Sequence, residues 1–129
     1  MTHEIRMKVR DYECDLQGIV NNANYQHYTE HARHEMLLDM GVSFADLHRQ
    51  GIDVVVARIT LSYKKPLRSD DEFIVRTRGK KEGIRYVFYQ DILRLPDEQL
   101  ACRAKVDIAA VVNGVLATQC PILDNLLVD

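Results

Sequence analysis

The chain has 129 residues, 47% of them hydrophobic and 28% charged, which is the size and composition of one globular domain. Its 17 Lys and Arg against 19 Asp and Glu give a net charge of −2, which argues against a nucleic-acid-binding protein. We expect residues 1–129 to form a single domain with no signal peptide and no membrane span. Cys14, Cys102 and Cys120 form no C-x-x-C pair, so we expect reduced thiols and a cytoplasmic location.

The first half of the chain predicts a strand followed by one long helix. Apolar and charged residues alternate over residues 4–10, a pattern typical of a strand with one solvent-exposed face. The run of asparagines at residues 21–24 offers N-cap candidates for the helix that follows. Between Tyr25 and Met40 one helical face carries Tyr25, Tyr28, Thr29, Ala32, Met36 and Met40, and Gly41 follows where a C-terminal glycine is favoured.

The second half of the chain predicts antiparallel strands. A short helical turn capped by Ser43 ends at Gly51, and Asn113-Gly114 is a strong hairpin signal. The predicted strands are residues 52–63, 72–77, 86–95, 101–112 and 115–120. One helix cannot cover both faces of so many strands. We therefore predict an α+β fold in which the sheet curves around the helix.

The densest group of unusual residues is the charged turn at residues 11–25, which leads directly into the helix. A helix start offers unpaired N–H donors that can stabilise an oxygen gaining negative charge. A neighbouring carboxylate can act as a base or a nucleophile on the same carbon. The sequence contains no G-x-S-x-G, Walker, dinucleotide-binding or H-E-x-x-H motif.

Two spaced motifs carry a family resemblance. The first combines a D-x-x-G-[IV]-V turn at residues 15–20, Tyr25, and the pair Glu30 and Arg33. The second is an aromatic, Pro-Leu, small-residue and Asp pattern within residues 63–70. In these features the chain resembles the acyl-CoA thioesterases of the hot-dog fold, in particular the branch typified by 4-hydroxybenzoyl-CoA thioesterase.

The resemblance implies a hot-dog fold, with a curved antiparallel sheet of about five strands around one central helix. It also implies hydrolysis of an acyl-CoA to free acid and CoA, with Asp15 as base or nucleophile and the Asn22 backbone N–H polarising the carbonyl. Some relatives have a histidine or an aromatic residue at the position of Asn22. The family builds its sites between two subunits, so we expect a homodimer or homotetramer. No cofactor is expected, CoA being part of the substrate.

The sequence is compatible with more than one thioester substrate, differing in the carrier and in the acyl group. An acyl carrier protein thioester is an alternative substrate, and the sequence does not select an acyl chain. Lys80, Lys81 and Arg85 belong to a basic cluster that the resemblance assigns to the CoA phosphates. The alternative is a solvated hairpin whose charges serve solubility.

Other residues allow rival interpretations. His27, His31 and His34 share one helix face and could ligate zinc, but no fourth ligand is evident, and we predict a solvated or interface stripe and no metal site. A non-catalytic acyl-binding or histidine-rich metal-binding module and a hot-dog hydratase are the alternative functions.

Four residues near the candidate site are assigned structural or minor roles. Glu30 and Arg33 are interpreted as an exposed ion pair or a subunit contact. Cys14 is expected to be a packed thiol, because two neighbouring acids disfavour its thiolate. Substitution of Glu13 by Gln is predicted to be mild.

Overall fold

The computed structural model describes residues 2–127. A 3-10 turn (Asp11–Glu13) follows the first strand and precedes the long helix. The remaining elements, in chain order, are β1 (Thr2–Lys8), α1 (Asn22–Asp39), α2 (Phe44–Arg49), β2 (Ile52–Tyr63), β3 (Glu72–Glu82), β4 (Arg85–Arg94), β5 (Gln99–Val112), β6 (Val115–Leu116) and α3 (Pro121–Leu126).

The strands form one antiparallel sheet in the order β1-β3-β4-β5-β2, and β6 folds back onto β5. The register of β2 against β5 shifts between Val56 and Arg58, and that of β4 against β5 shifts between Ile92 and Leu93. Such irregularities bend strands and increase their twist. The sheet curls around α1, as the hot-dog arrangement implied by the resemblance requires, and the predicted fold class is confirmed.

The long helix begins earlier than its apolar pattern predicts. It starts at Asn22, and the side chain of the N-cap Asn21 accepts a hydrogen bond from the N–H of Ala23 at 3.0 Å. The helix packs on β1 and β3. Of the predicted core face, Tyr25, Tyr28, Thr29, Ala32 and Met36 are buried and Met40 is half-buried. Arg33 and Leu37 are buried as well.

The C-terminal region differs from the sequence prediction. The predicted strand at residues 115–120 is reduced to the two residues of β6, and α3 follows it. Asn113 and Gly114 both have positive φ, as the Asn-Gly hairpin prediction requires. Pro121 occupies the first turn of a helix, where its missing N–H costs nothing, so it begins α3.

A tyrosine fixes α3 to the sheet. The Tyr86 hydroxyl donates to Asp124 Oδ1 at 2.6 Å and accepts from the N–H of Cys120 at 3.1 Å. Lys81 Nζ lies 3.2 Å from the same carboxylate oxygen of Asp124. These contacts hold α3 against β3 and β4.

The structure also bears on the expected location and thiol chemistry. No helix within residues 2–127 has both the length and the hydropathy needed to cross a membrane. The three cysteines are unpaired, as predicted. The cytoplasmic location stays a prediction.

Candidate active site

Asp15 lies on a tight exposed turn between the 3-10 turn and α1. Its N–H donates to the carbonyl of Ile19 at 2.9 Å, and its carbonyl accepts from Gly18 N–H at 3.0 Å. Its carboxylate Oδ1 accepts the N–H of Gln17 at 2.8 Å. Gly18 has φ +78°, a conformation that only glycine adopts without strain. The turn therefore holds the Asp15 carboxylate at the surface, in contact with solvent.

A cleft of about 260 Å³ opens at the start of α1. Asn22 forms part of its wall, and within residues 2–127 no acceptor contacts the Asn22 N–H. This N–H lies at the positive end of the dipole of the 18-residue α1. The other lining residues are Ile19, Val20, Tyr25, Tyr63, Lys64, Lys65 and Pro66.

Asp15 does not line the cleft, but it is hydrogen-bonded to a residue that does. Ile19, which accepts the Asp15 N–H, lines the cleft and pairs with Arg68. Val20 donates its N–H to the carbonyl of Leu67 at 2.8 Å, which ties the turn to the segment that follows β2. The two residues predicted to act on the thioester are thus on neighbouring parts of one hydrogen-bonded segment.

Glu13 is buried, with 8% of its surface exposed. Its Oε1 accepts the N–H of Arg10 at 2.8 Å and the hydroxyl of Tyr28 at 2.9 Å. Its backbone carbonyl accepts from Asn21 N at 3.0 Å and from Asn24 Nδ2 at 2.8 Å. A buried carboxylate with two donors differs from a solvent-exposed turn residue, so loss of its acceptor oxygen should be costly. The mild effect of Glu13→Gln, which keeps that oxygen, stays a prediction.

Cys14 matches the expectation of a packed thiol. Its pKa is raised, first by burial and then by the negative charges of Asp15 and Glu13. A raised pKa disfavours the nucleophilic thiolate. The carboxylate, and not the thiol, is the candidate reactive group on this turn.

The predicted basic cluster does not converge on one face. Lys80 and Lys81 are consecutive residues of β3, and side chains alternate across a strand. Lys80 Nζ lies 5.7 Å from the Tyr89 ring centroid on the outer face, whereas Lys81 Nζ lies 3.2 Å from Asp124. Arg85 Nη1 is 3.9 Å from the carboxylate of Asp107.

The three histidines of the predicted stripe do not border one common cleft. His27 and His31 border one cleft beside β1, whereas His34 borders another beside β2. The His34 ring packs on Phe44, with 4.4 Å between ring centroids, and burial lowers its pKa. Among residues 2–127, no group of three or more His, Cys, Asp or Glu side chains has the arrangement of a metal site.

Arg33 differs from the predicted exposed ion pair. Only 5% of its surface is exposed, and its Nη1 donates to Gln90 Oε1 at 3.0 Å. Gln90 in turn donates to the carbonyl of Thr29 and to the Thr77 hydroxyl. Burial lowers the Arg33 pKa, and the charge of Glu30 partly offsets this effect. Arg33 therefore belongs to a buried polar network between α1 and the sheet.

The sequence analysis missed three residues that line the cleft. Tyr63 donates to the Asn22 carbonyl at 3.4 Å, and its ring meets that of Tyr25 edge-on. Lys64 and Lys65 add two positive charges to the cleft wall. The available signal was the Tyr-Lys-Lys-Pro run at the end of a predicted strand, which was used only as the strand end and as part of the second family motif.

Comparisons with known proteins identify the family of the chain. The model of the thioesterase-like superfamily matches residues 9–119. The acyl-acyl carrier protein thioesterases ATL3 and ATL2 of Arabidopsis thaliana are 38% and 37% identical to the chain over 80% and 92% of its length. The chain spans only 55% and 64% of these two proteins. The acyl-CoA thioester hydrolase YbgC of Escherichia coli O157:H7 is 34% identical over 68% of either chain.

A solved structure has the same fold. A hypothetical protein from Aquifex aeolicus superimposes with a TM-score of 0.90 at 28% identity, covering 98% of this chain and 99% of that one. Fold and matches together define a hot-dog protein of the thioesterase class. The chain belongs to the thioesterase-like superfamily. The resemblance stated from the sequence is confirmed.

Proposed function

We propose that the protein hydrolyses the thioester of an acyl-CoA, releasing the free acid and CoA. The observation that carries this proposal is the Asn22 N–H in the cleft wall, which has no acceptor among residues 2–127 and lies on the same hydrogen-bonded segment as Asp15. An unpaired N–H at a helix start suits the oxygen of a tetrahedral intermediate. Membership of the thioesterase-like superfamily supports the same reaction.

The Asp15 carboxylate and the Asn22 N–H are sufficient for two routes of thioester hydrolysis. In one route Asp15 takes a proton from water, and the resulting hydroxide forms the new C–O bond. In the other route the Asp15 carboxylate attacks first, and water then cleaves the resulting anhydride. In both routes the carbonyl oxygen becomes an oxyanion that accepts the Asn22 N–H. The C–S bond breaks without a general acid, because a thiol with a pKa of about 8.5 leaves as thiolate. We propose that no cofactor enters the reaction.

The carrier of the acyl group is the second part of the proposal. YbgC is named as an acyl-CoA thioester hydrolase, whereas the two Arabidopsis relatives are named for acyl carrier protein thioesters. We propose CoA as the carrier, with acyl carrier protein as the alternative. Lys80, Lys81 and Arg85 are the predicted phosphate contacts.

Single and combined alanine variants of these three residues test the phosphate assignment. The triple variant should raise KM for an acyl-CoA and leave KM for a truncated pantetheine thioester unchanged, and the difference should shrink with salt. Because Lys80 and Lys81 face opposite sides of β3, unequal single effects would identify the contacting face. Equal effects on both substrates would refute the assignment.

We propose a homodimer that uses the free edge of β2. This strand is last in the sheet order, so one side of its 12-residue backbone has no strand partner among residues 2–127. Its side chains Val55 and Val56 are 45% and 51% exposed. A long apolar strand edge is favourable for pairing with a second copy. Sedimentation at micromolar concentration should give a dimer or a tetramer, and a monomer would contradict this proposal.

A thiol-release screen tests the proposed reaction. Wild-type protein is incubated with acyl-CoAs of increasing chain length, with aryl-CoAs and with acyl carrier protein thioesters, and free thiol is measured. We expect turnover of at least one CoA thioester, also in the presence of a chelator. Release from carrier-protein thioesters alone would assign the other carrier. A hydratase would change the acyl chain and leave the thioester intact, and a binding protein would change neither the acyl chain nor the thioester.

A further inference from the structure

The tip of the turn that carries Asp15 buries no side chain. Residues 15–18 are all exposed, and the Leu16 side chain is fully exposed at 107%. The turn is closed by backbone hydrogen bonds and by the contact of Asp15 with Gln17. Its position relative to α1 must therefore be set by the residues on either side of it.

Glu13 is the buried residue at the N-terminal side of the turn. Its backbone carbonyl accepts from the N–H of Asn21 at 3.0 Å and from Asn24 Nδ2 at 2.8 Å. Asn21 is the N-cap of α1 and directly precedes Asn22. One carbonyl, two residues before Asp15, thus joins the turn to the helix start that carries the proposed oxyanion donor.

The side chain of Glu13 makes a second attachment, one turn further along α1. Its Oε1 accepts from the Tyr28 hydroxyl at 2.9 Å and from Arg10 N at 2.8 Å, and Arg10 Nη1 lies 3.7 Å from Oε2. The Tyr28 pKa is raised, chiefly by burial and then by the hydrogen bond to Glu13, so the phenol stays a donor. Hydrogen bonds to a carboxylate are stronger than those between neutral groups.

We propose that Glu13 is a positioning residue for the reaction, acting through Asp15. It fixes the Asp15 turn on α1 at two points, the helix start and Tyr28, so that the carboxylate and the Asn22 N–H meet the same thioester. Small displacements of a reacting group have large kinetic effects, so a loosened turn lowers turnover. This inference rests on the proposed hydrolysis by Asp15.

The test compares Glu13→Ala, Glu13→Gln and Tyr28→Phe, each alone and combined with Asp15→Asn. Asp11→Asn is the matched control, because Asp11 is an exposed acid on the same 3-10 turn. We expect Glu13→Ala to lower kcat by about tenfold or more while KM changes little. Glu13→Gln keeps an acceptor oxygen for both donors and should restore most of the rate. Tyr28→Phe should give a smaller decrease.

The double variants separate positioning from a purely structural role. If Glu13 acts through Asp15, adding Glu13→Ala or Tyr28→Phe to Asp15→Asn should leave the residual rate unchanged. An equal fold-decrease in both backgrounds, or a change in KM alone, would overturn the proposal. If Glu13→Ala does not fold, Tyr28→Phe in the two backgrounds gives the same comparison.

The outcomes also separate this inference from the proposed function. An inactive Asp15→Asn with a fully active Glu13→Ala would refute only the positioning role. A fully active Asp15→Asn would remove the catalytic assignment of Asp15, and the role of Glu13 with it.

Discussion

Replacement of Asp15 by Asn removes a negative charge and little else. The amide oxygen of Asn can accept the Gln17 N–H that Asp15 Oδ1 accepts at 2.8 Å, so the turn stays closed. Because Asp15 is exposed, we expect the free energy of unfolding to change by less than about 0.5 kcal/mol. Loss of a positioned base or nucleophile should lower kcat by roughly 10²-fold, which corresponds to about 2.7 kcal/mol in the activation free energy.

Two measurements check this prediction together. Thiol release under saturating acyl-CoA gives kcat, and urea unfolding gives the stability of the same preparation. Asp11→Asn, which removes an exposed charge from the preceding 3-10 turn, should keep kcat within about twofold of wild type. Wild-type turnover by a folded Asp15→Asn variant would show that the carboxylate is not the reacting group.

Three further predictions concern stability. Tyr86→Phe removes the donor to Asp124 and leaves the buried Cys120 N–H without its acceptor, so urea unfolding should show a loss of about 2 kcal/mol or more. The Asp124 pKa is lowered, first by the Tyr86 hydrogen bond. Its contribution is therefore present above the ordinary pKa of Asp and lost as pH falls through the lowered value, and Tyr86→Phe should flatten this acid limb of the stability curve. Gly79→Ala places a Cβ 2.9 Å from the Phe88 ring, and thermal unfolding should detect about 1 to 3 kcal/mol of destabilisation.

The parts of the fold that sequence predicts are those fixed by local patterns. The helical period of the apolar residues from Tyr25 to Met36 identified the buried face of α1, because burial of one face imposes that period. The Asn113-Gly114 pair identified the last hairpin, because its backbone angles suit these two residues. Both features depend on neighbours in the chain.

The parts that sequence missed depend on distant partners or on element ends. Burial of Glu13 is compensated by the hydroxyl of Tyr28, 15 residues later, which donates to it. A charged turn gives no sign of this contact. The predicted third strand ended at residue 77, so Lys80 and Lys81 lay beyond it and were grouped in one basic cluster. Since β3 continues to Glu82, its alternation places them on opposite faces.

The buried position of Arg33 also depends on a partner that is distant in the chain. Its spacing from Glu30 is that of a surface ion pair, but its hydrogen-bond partner is Gln90 on β4. Only the three-dimensional pairing of helix and sheet brings these two side chains together.

The strand order has a consequence for synthesis of the chain. β1 pairs with β3, and β2 pairs with β5, so Ile52 meets Val112 across 60 residues. The first strand that can pair with its immediate successor is β3, whose residue Glu82 faces Arg85 in β4. During translation we therefore expect the β3–β4 hairpin to form early, while the edge of β2 that pairs with β5 waits for the C-terminal part of the chain. Chaperone contact during that interval should concentrate on β2, and a chain truncated before β5 should aggregate through this strand.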